Sequence, residues 1–254
     1  MSYDPRAMAR GTVSASSVPT AGAPEKAAVR SMFDRIAPRY DLLNRLLSAG
    51  VDQRWRRACV DSLGLAPRSK VLDVCTGTAD LLVEFLGRET GHTGLGVDLS
   101  GEMLTRGARK LRQRGLERRC GLVSGDAERL PLRDGLFDGA LIAFGIRNVG
   151  EPLRALREIH RVLKPGGRLV ILEFSMPPGL MGVAYRLYFE RVLPRIAGAV
   201  SGDRAAYTYL PASVARFPDP AVFGRLMEEA GFADVLWKRL TAGIAHLHRG
   251  EKLA

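Results

Sequence analysis

The run Lys70-Val71-Leu72-Asp73-Val74-Cys75-Thr76-Gly77-Thr78-Ala79-Asp80 constrains this chain more than any other stretch. It reads as a short apolar strand with an acid near its end, a turn of small residues, and the start of a helix. Small residues let the backbone come close to a ligand, and the free N–H groups of the following helix then face that ligand. About 20 residues further on, Thr93-Gly94-Leu95-Gly96-Val97-Asp98 gives a second strand ending in an acid, where a carboxylate accepts hydrogen bonds from ribose hydroxyls. The two strand ends form half of a nucleotide-type cofactor site, with Asp73, Gly77 and Asp98 as its first members.

The turn does not by itself name the nucleotide. A dinucleotide fingerprint needs G-x-G-x-x-G, whereas Gly77 is the one glycine here, flanked by Cys75 and Ala79. An acid-led turn without a second phosphate-cradling glycine is more similar to the motif of S-adenosylmethionine-dependent methyltransferases, whose ligand carries no phosphate. A nicotinamide or flavin enzyme and a plain packed βα turn stay open on this turn alone.

Periodicity extends the pattern in both directions. Val29, Met32, Phe33 and Ile36 recur at helical spacing between Glu25 and Pro38, a short helix follows over 41–48, and a third runs from about Asp52 to Gly64. These helices precede the sheet and are free to cap its open end as a lid over a ring-shaped substrate, although a helix–helix joint accounts for the same pattern. After the first strand come a helix over 80–86, the second strand, and a helix opened by Ser100 with Met103, Leu104, Ala108 and Leu111 on one face. A third strand over 121–124 leads into Gly125-Asp126-Ala127-Glu128, where Asp126 either accepts from an adenine amine or caps a turn. A fourth strand, 137–143, ends in Phe144-Gly145-Ile146-Arg147-Asn148-Val149. A helix over 152–163, stopped by Lys164-Pro165-Gly166-Gly167, precedes a fifth strand over 168–174 with Glu173 near its end.

This alternation requires a parallel sheet. The predicted fold is α/β: a Rossmann-like, doubly wound, mainly parallel seven-stranded sheet with a C-terminal antiparallel hairpin (233–240 and 243–249) and an N-terminal helical lid (25–66). Residues 175–217 are too many for an ordinary connection and read as a substrate-covering insertion. A helix from Pro220, closed by Gly231, leads into the hairpin.

At 254 residues one domain, 25–254, suffices, with 1–24 expected as a disordered tail because they are rich in Ala, Ser, Gly and Pro without apolar periodicity. No apolar run approaches the ~20 residues that span a bilayer, and no apolar core of a signal peptide follows the early charges. Cys59, Cys75 and Cys120 include no C-x-x-C pair, which suits a reducing cytosol and argues against a disulfide framework or zinc site; all three read as small buried apolar residues. His246 and His248 share one face of the last strand without a further Cys or acid at metal spacing, so no metal is expected; catalytic and core roles both stay open. The formal charge is +11, and of the 38 cationic residues six are lysine. Such a surface attracts nucleic acid or an anionic membrane face, and an Arg-rich coding bias with solvated cations explains it equally well.

Over roughly residues 28–252 the chain resembles the ubiquinone/menaquinone biosynthesis C-methyltransferases. The pieces that carry the resemblance are Met32-Phe33-Asp34-x-Ile36-Ala37-x-x-Tyr40-Asp41-x-x-Asn44, the Leu72-to-Thr78 loop, Phe144-Gly145-Ile146-Arg147-Asn148-Val149, and Gly243-Ile244-x-x-Leu247-His248-Arg249-Gly250. The resemblance implies that Thr78 contacts the methionine part of S-adenosylmethionine, Asp98 its ribose, and Asp126 with Ala127 its adenine. Ala79 stands where such loops usually have glycine, one extra methyl that should be tolerated. Ala143 stands where many members carry serine, so a polar contact to the cofactor is missing here.

The implied reaction is C-methylation of a reduced polyprenyl quinol ring, demethylmenaquinol first. A benzoquinol of ubiquinone synthesis or another phenolic or polyketide ring are the alternatives. Loss of a proton from a neighbouring hydroxyl pushes charge onto the ring carbon, and holding nucleophile, methyl and sulfur in line lowers most of the barrier. Arg147 and Asn148 are expected to orient the quinol oxygen, with Tyr40 or Asp41 closing the site and Glu173 nearby. Because a polyprenyl tail lies in the bilayer, the charge acquires a membrane reading: a cytoplasmic enzyme docking on anionic lipid. A homodimer is left open. Two rivals are weighed against this. A nucleic-acid methyltransferase lacks support, because there is no Pro-Cys pair and strand four ends Ala-Phe-Gly-Ile instead of in a clamp for a flipped base; no nucleic-acid partner is expected. Intact Asp73, Gly77 and Asp98 argue against a non-catalytic binding protein on the same fold.

Overall fold

In a computed structural model that describes residues 25–48, 50–187, 191 and 204–253, the apolar runs form seven strands of one sheet. These are β1 (Lys70–Val74), β2 (Thr93–Asp98), β3 (Cys120–Ser124), β4 (Phe137–Ala143), β5 (Leu163–Phe174), β6 (Ala233–Leu240) and β7 (Ala245–Glu251). Their order is β3-β2-β1-β4-β5-β7-β6, parallel except that β7 runs antiparallel to both β5 and β6. The chain winds outward from β1 to β3, then returns to place β4 on the other side of β1. That reversal opens a crevice at the carboxyl ends of β1 and β4, where ligands of such sheets bind.

Nine helices are described: α1 (Lys26–Ile36), α2 (Tyr40–Leu47), α3 (Val51–Leu63), α4 (Asp80–Leu86), α5 (Gly101–Gln113), α6 (Pro152–Val162), α7 (Gly179–Leu187), α8 (Arg204–Arg216) and α9 (Pro220–Glu229). Because side chains alternate along a strand, each central strand feeds two cores. Leu72, Val74, Ala140, Ile142, Leu169 and Ile171 pack with α6 and α9 on one face. Val71, Leu141, Val170, Leu172 and Leu247 pack with α3, α4 and α5 on the other. Full burial of such side chains contributes roughly 1.5–3 kcal/mol each, so the sheet is the rigid frame to which the crevice is fixed.

Helix starts follow local chemistry. Ser100 Oγ accepts from the Met103 amide at 3.1 Å to cap α5, and Asp219 caps α9 by accepting from the Ala221 amide at 2.9 Å, with Pro220 at its first position. Two boundaries differ from the sequence expectation. The fifth strand begins at Leu163 instead of Arg168, because Phe137 pairs with Leu163 and the Gly166 amide donates to Lys252 O at 2.7 Å, carrying the ladder across the Pro-Gly-Gly turn. The last strand begins at Ala245 instead of Gly243, because Thr241, Ala242 and Gly243 all adopt positive φ and form a helical turn between β6 and β7. The expected tail, 1–24, lies outside the described residues. So does part of 175–217, including most of the helical stretch foreseen over 185–192; α7 and α8 are the described parts of that segment. Among the described residues no helix is long and apolar enough to cross a membrane.

Candidate active site

The turn after β1 is built on a buried acid. Asp73 is 1% exposed; its Oδ2 accepts from Thr76 Oγ1 at 2.6 Å, while Oδ1 has no hydrogen-bond partner. Burial pushes this carboxyl up to about 7, against the pull of the Thr76 hydrogen bond and the Arg56 charge. The turn then alternates through left-handed conformations at Cys75 (φ +55°), Gly77 (φ +55°) and Ala79 (φ +65°). Gly145, in the loop after β4, is required by the same turn, since a Cβ there would collide with Cys75 Cβ.

The ends of β2 and β3 complete one wall. Asp98 Oδ2 accepts from the Gly77 amide at 2.8 Å and Oδ1 from the Ser100 amide at 2.9 Å, so the carboxylate is aimed by backbone on both sides. Burial raises its pKa, and those backbone hydrogen bonds oppose the rise. Asp126 Oδ1 accepts from the Glu128 amide at 2.9 Å and so caps its turn, while Oδ2 takes Lys26 Nζ at 2.7 Å. Partial burial pushes the Asp126 carboxyl up, but the Lys26 and Glu128 hydrogen bonds outweigh it and hold the group below its usual value. Asp98, Asp126, Ala127 and Gly77 line one cavity together with Val97, Met103 and Ala143.

Helix α1 lies across that cavity. Lys26, Val29, Arg30 and Phe33 line it, and Asp34 Oδ1 accepts from Ser100 Oγ at 2.6 Å. Lys26 was missed in the sequence, yet it extends the Val29–Phe33 stripe by three residues and thus shares its face. The opposite wall carries Tyr40, Phe144 and Asn148. Phe144 stacks on Phe174 with centroids 4.2 Å apart. Tyr209, also unforeseen, donates to Asn148 Oδ1 at 2.9 Å. Burial raises the Tyr40 phenol, with the Arg56 and Arg147 charges acting against it.

Other expected residues sit elsewhere. The Arg147 guanidinium does not line the cavity: it pairs with Glu173 at 2.8 Å, donates to Phe144 O, and reaches Ser213 Oγ at 3.3 Å, both ionic side chains being buried. Thr78 and Asp41 face a second cavity on the far side of the turn, where Thr78 Oγ1 donates to Asp41 Oδ1 at 2.6 Å and accepts from Lys110 Nζ at 2.9 Å. Thr78 follows Gly77 directly, and the turn sends the two residues to opposite sides. His246 and His248 are buried among core residues away from the crevice. His246 Nδ1 donates to Ser175 Oγ, whose hydroxyl donates to Gly243 O at 2.7 Å, and His248 Nε2 donates to Pro220 O at 2.9 Å. Burial pushes each imidazole down to about 4. Of the cysteines, Cys59 is buried, whereas Cys75 and Cys120 are partly exposed, Cys75 because it lines the main cavity.

Comparisons with known proteins give the family. Residues 21–252 match the ubiE/COQ5 methyltransferase family. The chain is 50% identical over 223 residues to a demethylmenaquinone methyltransferase from Thermus thermophilus, covering 87% of this chain and 100% of that protein. It is 46% identical over 226 residues to a ubiquinone/menaquinone biosynthesis C-methyltransferase from Geobacter sp., covering 88% of this chain and 96% of that one. Among solved structures, a SAM-dependent methyltransferase from Thermotoga maritima shares the fold with a TM-score of 0.62 at 24% identity, over 88% of this chain and 99% of its own. With that cover from α1 to β7, the chain belongs to the ubiE/COQ5 methyltransferase family.

Proposed function

We propose that this protein transfers a methyl group from S-adenosylmethionine to a ring carbon of a reduced polyprenyl quinol, with demethylmenaquinol as the acceptor. The observation that carries the reading is one cavity with two unlike walls. Aimed carboxylates of Asp98 and Asp126 stand on one side, and Tyr40, Phe144 and Asn148 on the other. The names of the two relatives support the ring and the reaction type; methylation of a benzoquinol is the variant of the same chemistry that the second name keeps open.

The residues fit that cofactor. Asp98 would accept from the ribose hydroxyls, Asp126 and the Ala127 backbone would meet the adenine edge, and Val97, Met103 and Ala143 would pack on its faces. At Gly77 a Cβ would find just Tyr40 Cε1, 4.0 Å away, so the turn is open toward the cavity for close approach of a ligand. Aromatic rings of Phe33, Tyr40 and Phe144 around the cavity suit a sulfonium cation. When bound, S-adenosylmethionine supplies an electrophilic methyl group.

On the acceptor side, Tyr209 holds Asn148 Oδ1, which leaves the Asn148 amide N–H groups for the quinol oxygen. Nδ2 lies 3.4 Å from Phe144 O, a long contact that a better acceptor displaces. Tyr40, its phenol raised, stays protonated at neutral pH and donates as well. Arg147 acts from behind: it fixes the Phe144–Asn148 loop through Phe144 O and Glu173, and its charge reaches the phenols of Tyr40 and Tyr209. Donors and a positive field at the ring oxygen favour the phenolate that makes the ring carbon nucleophilic. In this reading α1 and α2 act as a lid, α3 being packed into the core against the sheet, and α8, which brings Tyr209 to Asn148, covers the acceptor. The test is methyl transfer from labelled S-adenosylmethionine to naphthoquinol and benzoquinol acceptors, each presented reduced and oxidised. Transfer to the reduced naphthoquinol is expected; a protein that binds the cofactor yet methylates none of the reduced rings would overturn the reading.

A further inference from the structure

The second cavity, of about 240 Å³, lies between the 37–42 segment and α5. Arg106, Arg109, Lys110 and Gln113 come from one face of α5, spaced at three and four residues. Three cations therefore stand against one carboxylate, Asp41. That carboxylate is already satisfied, by Lys110 Nζ at 2.7 Å and by the Thr78 hydroxyl at 2.6 Å, and Lys110 is also paired with Asp80. The two guanidiniums are different: among the described residues neither Arg106 nor Arg109 makes an ion pair, and Arg106 Nε is buried without any hydrogen-bond partner. Arg106 is half-buried and Arg109 exposed, so their outer guanidinium N–H groups, without a carboxylate partner among the described residues, face the cavity mouth, and the planar fork matches the oxygens of a phosphate.

We propose that this cavity binds the phosphate group of a phosphate ester through Arg106 and Arg109. Leu42 belongs to the same lining and is 53% exposed, which places an apolar side chain beside the cations. That pairing fits an anionic phospholipid, with its headgroup phosphate in the cavity and its acyl region against Leu42. The lipid source rests on the quinol reading above, because an acceptor with a polyprenyl tail must be taken from a bilayer; a soluble phosphate ester offers the same oxyanion without it. The position matters for the site. The walls include Thr78 and Asp41, which directly follow Gly77 and Tyr40 of the main cavity, so the two cavities share one turn and one helix start.

The experiment uses the full chain and two probes. Flotation with phosphatidylcholine vesicles, with and without phosphatidylglycerol, reads the lipid source, and calorimetry with glycerol 1-phosphate reads the soluble one. The variant R106Q/R109Q is compared with R118Q/R133Q, which removes the same charge just before β3 and β4, at the opposite end of the sheet; thermal melts check that both fold. The expected result is binding to phosphatidylglycerol vesicles that weakens about tenfold in R106Q/R109Q and less than about twofold in R118Q/R133Q. Loss of glycerol 1-phosphate binding in R106Q/R109Q with vesicle binding unaffected would support the cavity and assign it to a soluble ester. Equal weakening in both variants, no weakening of either probe in R106Q/R109Q, or no binding of either probe would overturn the proposal. Neither readout involves methyl transfer, so failure of the proposed reaction leaves this result standing, and the reverse.

Discussion

Lys26 Nζ lies 2.7 Å from Asp126 Oδ2 and 2.7 Å from Glu128 Oε2, which ties the first turn of α1 to the segment after β3. Lys26 is 43% exposed on its side chain whereas Glu128 is 4% exposed, so the pair straddles the cavity rim. A tie of this kind is worth at most about 1 kcal/mol, small for the fold but sufficient to bias how often α1 lifts from the cavity.

K26A should therefore release bound S-adenosylmethionine about two- to fivefold faster, with little change in melting temperature. Stopped-flow displacement of the cofactor checks this. An unchanged release rate would mean that α1 does not retain the ligand.

A143S restores the hydroxyl that the resemblance leads one to expect at a position now known to line the cavity. One added hydrogen bond is worth about 0.5–1.5 kcal/mol, so cofactor affinity should rise roughly two- to tenfold by calorimetry. Weaker binding would mean that the added oxygen finds no partner.

Ala79 is fully buried at φ +65° and faces Gly107, where an added Cβ would come within 3.3 Å of Ala79 Cβ. A79G relieves about 1–2 kcal/mol of left-handed strain and loses about 0.8 kcal/mol of methyl burial, so chemical denaturation should show stability unchanged or slightly raised. A79V, branched at Cβ in that conformation and against Gly107, should cost about 3 kcal/mol or more.

Buried groups pull acid stability in opposite directions. His246 and His248, pushed from 6.5 to about 4, refuse protons that the unfolded chain accepts, so their contribution is lost as pH falls below about 6.5. Asp73, raised from 3.8 to about 7, holds a proton that the unfolded chain releases, so its contribution grows as pH falls through the same window. Asp98 and Glu173 act in the same sense as Asp73, and His92 and His160 in the sense of the other two histidines, so the clean comparison is between the wild type and D73N. Removing the Asp73 carboxyl should make urea melts lose stability more steeply between pH 6.5 and 4, by roughly 1.4 kcal/mol per pH unit at most; an unchanged slope would mean that Asp73 holds no proton in that window.

The turn after β1, the span of α4, the residues of β4 and the Ser100 cap were all legible before any coordinates, because each follows from neighbours within one strand or one helical turn. Gly77, Asp98 and Asp126 were legible as partners for a similar reason: each ends or follows a strand of one parallel sheet, and such ends meet at one edge; Ala127 came from the family resemblance. Where the residues of a loop point was not written locally. Gly77 and Thr78 diverge because the chain passes through left-handed conformations at Gly77 and again at Ala79, and Arg147 turns from the cavity because Glu173, 26 residues away, is buried beside it.

By itself, then, the sequence determined the alternation of strands and helices, the mainly parallel sheet with its C-terminal hairpin, and the acids at the strand ends, since hydrophobic period and strand-end chemistry are short-range properties. Tertiary structure alone decided which side chains share a cavity. Lys26 and Asp126 are 100 residues apart, Tyr209 and Asn148 are 61 apart, and the paired cations and acids around Thr78 come from three separate segments. Contacts of that range are set by how helices pack on the finished sheet, where geometry selects which of many compatible charges and donors finally meet.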